Sequence, residues 1–167
     1  LDFVLPTEHL LKGGPTGSRV LDEGAIDILL EKIEGLIEGR YGDAKIGTFE
    51  IGNEYFVENR MSPAEYGMIA NRITLELKDI YERHHNLIAN SNDWQAPKIA
   101  VQAGPGYLPH DNQIIIDSLS IEAKAEVDVV IGHYYPKTLD QVEKMSNFFN
   151  NLHAWETTSG FNNVEIT

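Results

Sequence analysis

The chain has 167 residues, 42% of them hydrophobic, which is enough for one domain with a buried core and excludes a disordered chain. A formal net charge of −13 and a pI near 4.7 disfavour nucleic acid and anionic membranes as partners and are compatible with a neutral ligand such as a sugar. Cysteine is absent, so neither a disulfide frame nor a thiolate metal site can form, and no apolar run is long enough to span a bilayer.

Leu1 to Leu5 (LDFVL) reads as a strand, and residues 6–19, rich in Gly and Pro, as a loop. Ala25 to Glu38 spaces Ile26, Leu29, Leu30, Ile33, Leu36 and Ile37 as one helical face, with Gly39 as its stop. Lys45 to Gly52 is the next strand. Ser62-Pro63-Ala64-Glu65 is a capping box with proline in the first helical position. Tyr66, Ile69, Ile73, Leu77 and Ile80 then form one face of a helix. Lys98 to Gln102 is a third strand, followed by Ala103-Gly104-Pro105-Gly106 and a helix over residues 112–123. Val127 to Ile131 is a fourth strand running into Gly132-His133-Tyr134-Tyr135-Pro136. Thr138 opens another helix that reaches Trp155, and Asn163 to Thr167 is a fifth strand.

Alternation of this kind predicts α/β structure with parallel strands joined by right-handed crossovers. The nearly continuous apolar strands fit burial on both faces. A doubly wound open sheet and a partial (β/α)₈ TIM barrel both satisfy the pattern. A complete barrel takes about 250 residues, so the barrel alternative is a single catalytic-barrel fragment over residues 1–167, truncated at both ends. The chain begins with Leu and already reads as a strand there. The expectation is that further residues, including any export signal, lie upstream.

Chemistry on such folds gathers at the carboxyl ends of the strands. Glu54 follows the apolar strand Thr48-Phe49-Glu50-Ile51 and Gly52, beside Asn53. It is the candidate general acid/base for breaking a glycosidic bond, a task that requires a carboxyl group kept protonated near neutral pH. Glu50 shares the side-chain parity of Glu54, and is either a support for a neighbouring polar group or a solvent-facing residue. His133 and the two tyrosines after it could orient sugar hydroxyls or hold a catalytic carboxylate. Gln102 and Tyr107 could line the same face. His84 and His85 read as surface residues near a helix end, and His110-Asp111 as a helix start. No zinc-hydrolase motif, phosphate-binding loop, dinucleotide fingerprint or nucleophile elbow is present, so no metal and no cofactor is implied.

Two stretches carry a family resemblance. FEIGNEY, followed by MSPAEYGMIANRI, resembles the fourth strand and fourth helix of clan A glycoside hydrolases, retaining enzymes on a (β/α)₈ barrel. LDFVLPT is similar to the family's third strand, KIAVQAGPG to its fifth and VDVVIGHYYP to its sixth; AWETTSGFNNVEIT resembles the sixth helix and seventh strand. The resemblance implies a retaining glycosidase with a carbohydrate substrate. Glu54 would be its acid/base, and Asn53 would bond the hydroxyl beside the anomeric carbon. His133, with Tyr135 or Tyr134, would be a site residue; parity alone does not choose between the tyrosines. The nucleophile would be the residue following Val164-Glu165-Ile166-Thr167, since Glu165 lies too deep in the strand to replace it. Such enzymes are commonly exported, so secretion is expected. A carbohydrate-binding pseudo-enzyme and an unrelated open α/β ligand-binding domain are the rival expectations.

Overall fold

A computed structural model describes residues 1–42, 45–87, 94–105, 108–143 and 145–167. Tyr107 lies outside them. The strands are β1 (Asp2–Leu5), β2 (Leu11–Lys12), β3 (Val20–Leu21), β4 (Thr48–Ile51), β5 (Lys98–Gln102), β6 (Val129–Ile131) and β7 (Glu165–Ile166). The helices are α1 (Glu23–Ile37), α2 (Pro63–Leu87), α3 (Pro109–Ser118), α4 (Ile121–Glu126), α5 (Leu139–Glu143) and α6 (Met145–Thr157).

Five strands form one parallel sheet in the order β1-β4-β5-β6-β7, which is their order along the chain. A doubly wound sheet reverses its strand order at a switch point; no reversal occurs among these five strands. Right-handed crossovers that always step the same way place their helices on one face. The core agrees with that geometry. Leu5, Phe49, Ile51, Ile99, Val101 and Val130 point to one side and pack under Ile26, Tyr66, Ile73, Ile115, Leu152 and Trp155 from the helices.

Side chains of the opposite parity make the second face, where the expectation of burial on both faces holds only in the middle. Ala100, Gln102 and Val129 are buried there, whereas Val4 on the outer strand is 46% exposed. Asp2, Thr48, Glu50, Lys98, Ile131, Glu165 and Thr167 line a shallow hollow on this side. Lys98 Nζ lies 2.8 Å from Glu165 Oε2 within it.

Local chemistry sets the element ends. Asp22 caps α1 by accepting from the Ala25 N–H. The capping box at α2 forms as the sequence indicates: Glu65 N–H donates to Ser62 Oγ and Ser62 N–H to Glu65 Oε2. Tyr66, Ile69, Ile73, Leu77 and Ile80 are buried on α2, as their spacing requires. Helix α3 begins earlier than the spacing suggests, so His110 and Asp111 fall in its first turn. The helix expected over 112–123 is in fact two. Leu119 turns extended and Ser120 caps α4 through the Ala123 N–H. The expected loop over 6–19 carries half of an antiparallel hairpin, with Leu11 opposite Leu21 and Lys12 opposite Val20.

No helix of the described residues is long and apolar enough to cross a membrane.

Candidate active site

The candidate residues gather at the carboxyl ends of β4, β5 and β6. Parallel register brings Glu50 beside Ala100 and Gln102 beside Ile131, so the strand ends lie level. Beyond β4 the backbone turns sharply. Gly52 has φ +80°, and a side chain there would strike Thr7 Oγ1 at 2.9 Å and press on the Tyr66 ring. Glu54 itself has φ 47°, a left-handed conformation costing a non-glycine residue about 1–2 kcal/mol. Glu58 and Asn59, in the same loop, share it.

The turn swings Asn53 and Glu54 apart. Glu54 is partly buried and its Oε1 lies 3.3 Å from His133 Nδ1. Asn53 is exposed and borders a separate hollow with Pro6, Thr7, Glu8, His9 and Arg60 at the ends of β1 and β4. His133 Nδ1 is buried and makes no aligned hydrogen bond, so its contact with Glu54 is one of proximity. Catalytic hydrogen bonds are often loose before substrate arrives.

His133 sits between two carboxylates. Its Nε2 lies 3.9 Å from Glu50 Oε1. Burial pushes the Glu50 carboxyl above its ordinary value; the hydrogen bond from Gln102 and the nearness of His133 oppose that rise, and Asp2 adds to it. Of the two possibilities the sequence leaves for Glu50, the structure places it as a partner of polar neighbours rather than a solvated charge.

Gln102, expected to touch ligand, is 1% exposed. Its Nε2 donates to Glu50 Oε1 at 3.1 Å and its Oε1 accepts from the Tyr55 N–H at 3.4 Å. It stands behind the site as a connector, because β5 is the central strand and its last residue is covered from both sides.

The tyrosines divide by parity. Tyr135 is 69% exposed and lies on the His133 side, ring centres 5.9 Å apart. Tyr134 turns away, stacks on Phe148 at 5.1 Å and donates its hydroxyl to Gln141 O at 2.6 Å. Tyr135 is therefore the tyrosine that can meet a ligand beside His133.

Supporting contacts at this end were not legible as site features. Tyr66 is fully buried under the strand ends; its hydroxyl donates to Ile51 O and accepts from the Gln102 N–H, both at 2.7 Å. Tyr55 stacks on it at 4.5 Å. Asn112 accepts from the Gly104 N–H at 2.8 Å and from Trp155 Nε1 at 3.0 Å, tying the loop after β5 to α6.

The loop over residues 52–62 is further bolted to the hairpin of β2 and β3. Arg19 donates from Nε to Glu65 Oε1 and from Nη2 to Glu65 Oε2, each at 3.0 Å, and also bonds the carbonyl of Arg60. Thr16 Oγ1 donates to Asn59 O at 3.1 Å. Burial alone would push the Glu65 carboxyl up. The hydrogen bonds from the Arg19 side chain and from the N–H groups of Ser62, Arg19 and Gly17 outweigh it and bring the carboxyl down to about 2.

The hollow bounded by Leu1, Ile37, Trp94 and Pro97 lies at the amino ends of the strands, away from Glu54. Among the described residues no group of three or more His, Asp or Glu side chains could hold a metal ion. His85 is exposed, while His84 packs beside Trp94, ring centres 4.8 Å apart.

Compared with known proteins, the chain matches no family model, no curated protein and no solved structure.

Proposed function

We propose that this chain is the acid/base-bearing part of a retaining glycoside hydrolase on a (β/α)₈ barrel. The observation that carries the reading is Glu54 at the carboxyl end of β4, 3.3 Å from His133 at the end of β6. A sheet whose five strands follow chain order, with its helices on one face, supports a barrel wall.

In this reading Glu54 protonates the glycosidic oxygen as the nucleophile attacks the anomeric carbon, and then, as base, takes a proton from the water that hydrolyses the glycosyl-enzyme. Tyr135 contacts the sugar beside Glu54, Asn53 meets the sugar only where it extends toward the hollow at the ends of β1 and β4, and His133 orients Glu54. The nucleophile is expected just after Thr167. Gly132 N–H donates to Thr167 O at 2.8 Å, so β7 ends level with His133. A carboxylate emerging there would have to lie about 5–5.5 Å from that of Glu54 for retention.

The test is a screen of oligosaccharides and aryl glycosides with the full-length protein, followed by Glu54→Gln. Loss of general acid catalysis lowers kcat/KM on oligosaccharides by about 10²–10⁴-fold. Full activity of the variant on those substrates, or sugar binding by the wild type with no hydrolysis, overturns the reading.

A further inference from the structure

Glu50 is a carboxylate on a sheet face, 12% exposed, where burial is unfavourable without partners. Asp2, Lys98 and Glu165 line the hollow beneath it, but Lys98 is held by Glu165. The contacts of Glu50 lead instead toward Glu54, by two routes. Through His133, the carboxylate of Glu50 is one imidazole away from the carboxylate of Glu54, with spacings of 3.9 Å and 3.3 Å. Through Gln102, it is one amide away from the N–H of Tyr55, the residue that follows the left-handed turn at Glu54.

Resting on the assignment of Glu54 as acid/base, we propose that Glu50 is the positioning residue of this site, fixing Glu54 through His133 on one side and Gln102 on the other. The chemistry of imidazole makes the first arm directional. When Glu54 carries the proton that general acid catalysis requires, Glu50 is the carboxylate left beside the ring, and its charge 3.9 Å from Nε2 favours the imidazole proton on that nitrogen. The neutral ring then turns the lone pair of Nδ1 toward Glu54. In the proposed mechanism that lone pair is the acceptor available to a proton on Glu54 once substrate aligns the two groups, which in the structure lie 3.3 Å apart without an aligned hydrogen bond. The second arm is mechanical: Gln102 can accept from Tyr55 N–H only while its amide nitrogen is turned to Glu50, which fixes the amide's orientation.

The experiment uses the full-length protein with Glu50→Gln and Glu54→Gln. Its probes are the phenyl and 2,4-dinitrophenyl glycosides of the sugar released in the screen. A dinitrophenolate leaves without protonation, whereas phenolate needs more help. Glu50→Gln is expected to lower kcat/KM by about tenfold or more on the phenyl glycoside and by less than about threefold on the dinitrophenyl glycoside. An equal loss on both is general structural damage and overturns the proposal, as does no loss on either. Glu54→Gln separates the two ideas. If it fails to show the same leaving-group dependence, the acid/base assignment itself falls.

A second readout needs no substrate. Nitrogen-15 NMR of the imidazoles, with His133 assigned by comparison with His133→Gln, is expected to show the proton on Nε2 in the wild type and mixed tautomers in Glu50→Gln. An unchanged His133 spectrum overturns the proposal.

Discussion

The loops after β4 and β6 meet over the same end of the sheet but are held in different ways. The loop over residues 52–62 is fixed by partners distant in sequence: Arg19 on the Arg60 carbonyl, Thr16 on Asn59, Gln102 on Tyr55 and Glu8 on Arg60. The loop after β6 is fixed mainly by the segment that follows it. Tyr134 and the Lys137 N–H both bond Gln141, and Tyr134 stacks on Phe148. A site that must hold a proton within a few tenths of an ångström gains from long-range bracing. One that must fit a ligand can rely on local bracing. In the proposed site these two demands fall on Glu54 and Tyr135.

The comparison breaks most sharply at Arg19. Arg19→Ala leaves Glu65, 2% exposed, without its guanidinium. Removing one partner of a buried ion pair costs about 3–5 kcal/mol, measurable by urea unfolding. The pH dependence has a defined sign. The folded-state pKa of Glu65 is depressed, so the stability it contributes is complete above 4.5 and is lost as pH falls toward about 2. The gap between wild type and variant should therefore close across that window; a gap independent of pH would show that the pair is not its source.

A smaller effect is expected at Gly52. Gly52→Ala forces an L residue into φ +80° and sets a methyl group 2.9 Å from Thr7 Oγ1. The combined strain and clash should cost about 2–4 kcal/mol in thermal or urea unfolding. A neutral result would mean that the turn before Glu54 relaxes freely and is not braced as described. On the other side, Tyr135→Ala removes an exposed ring and should change stability by no more than about 0.5 kcal/mol, while the proposed function predicts a raised KM for the sugar. A large loss of stability there would erase the contrast between the loops.

Much of the scaffold was legible because its signals are local. The apolar runs at Leu1–Leu5 and Lys98–Gln102, the capping box at Ser62 and the helical spacing from Tyr66 to Ile80 each declare themselves within a few residues. The hairpin did not, because strands as short as Leu11–Lys12 and Val20–Leu21 have no periodicity to read. The split between α3 and α4 could have been found from Ser120, whose hydroxyl serves as a cap. At the candidate site, parity relates Glu50 to Glu54, but it leaves Tyr134 and Tyr135 open until their contacts separate them, and it carries no depth. Gln102 therefore appeared as a surface-lining residue rather than a buried connector. Arg19 gave no sign at all, since its partner is 46 positions away along the chain.

Glu65 closes the capping box of α2 and also receives the fork of Arg19. One carboxylate therefore couples the fraying of a helix end to the docking of a hairpin. The hairpin cannot lift from α2 without exposing the first turn, and α2 cannot unwind there without freeing the hairpin. Amide hydrogens at Arg19 and Ser62, both bonded to Glu65, should exchange with solvent together, as members of one cooperative unit.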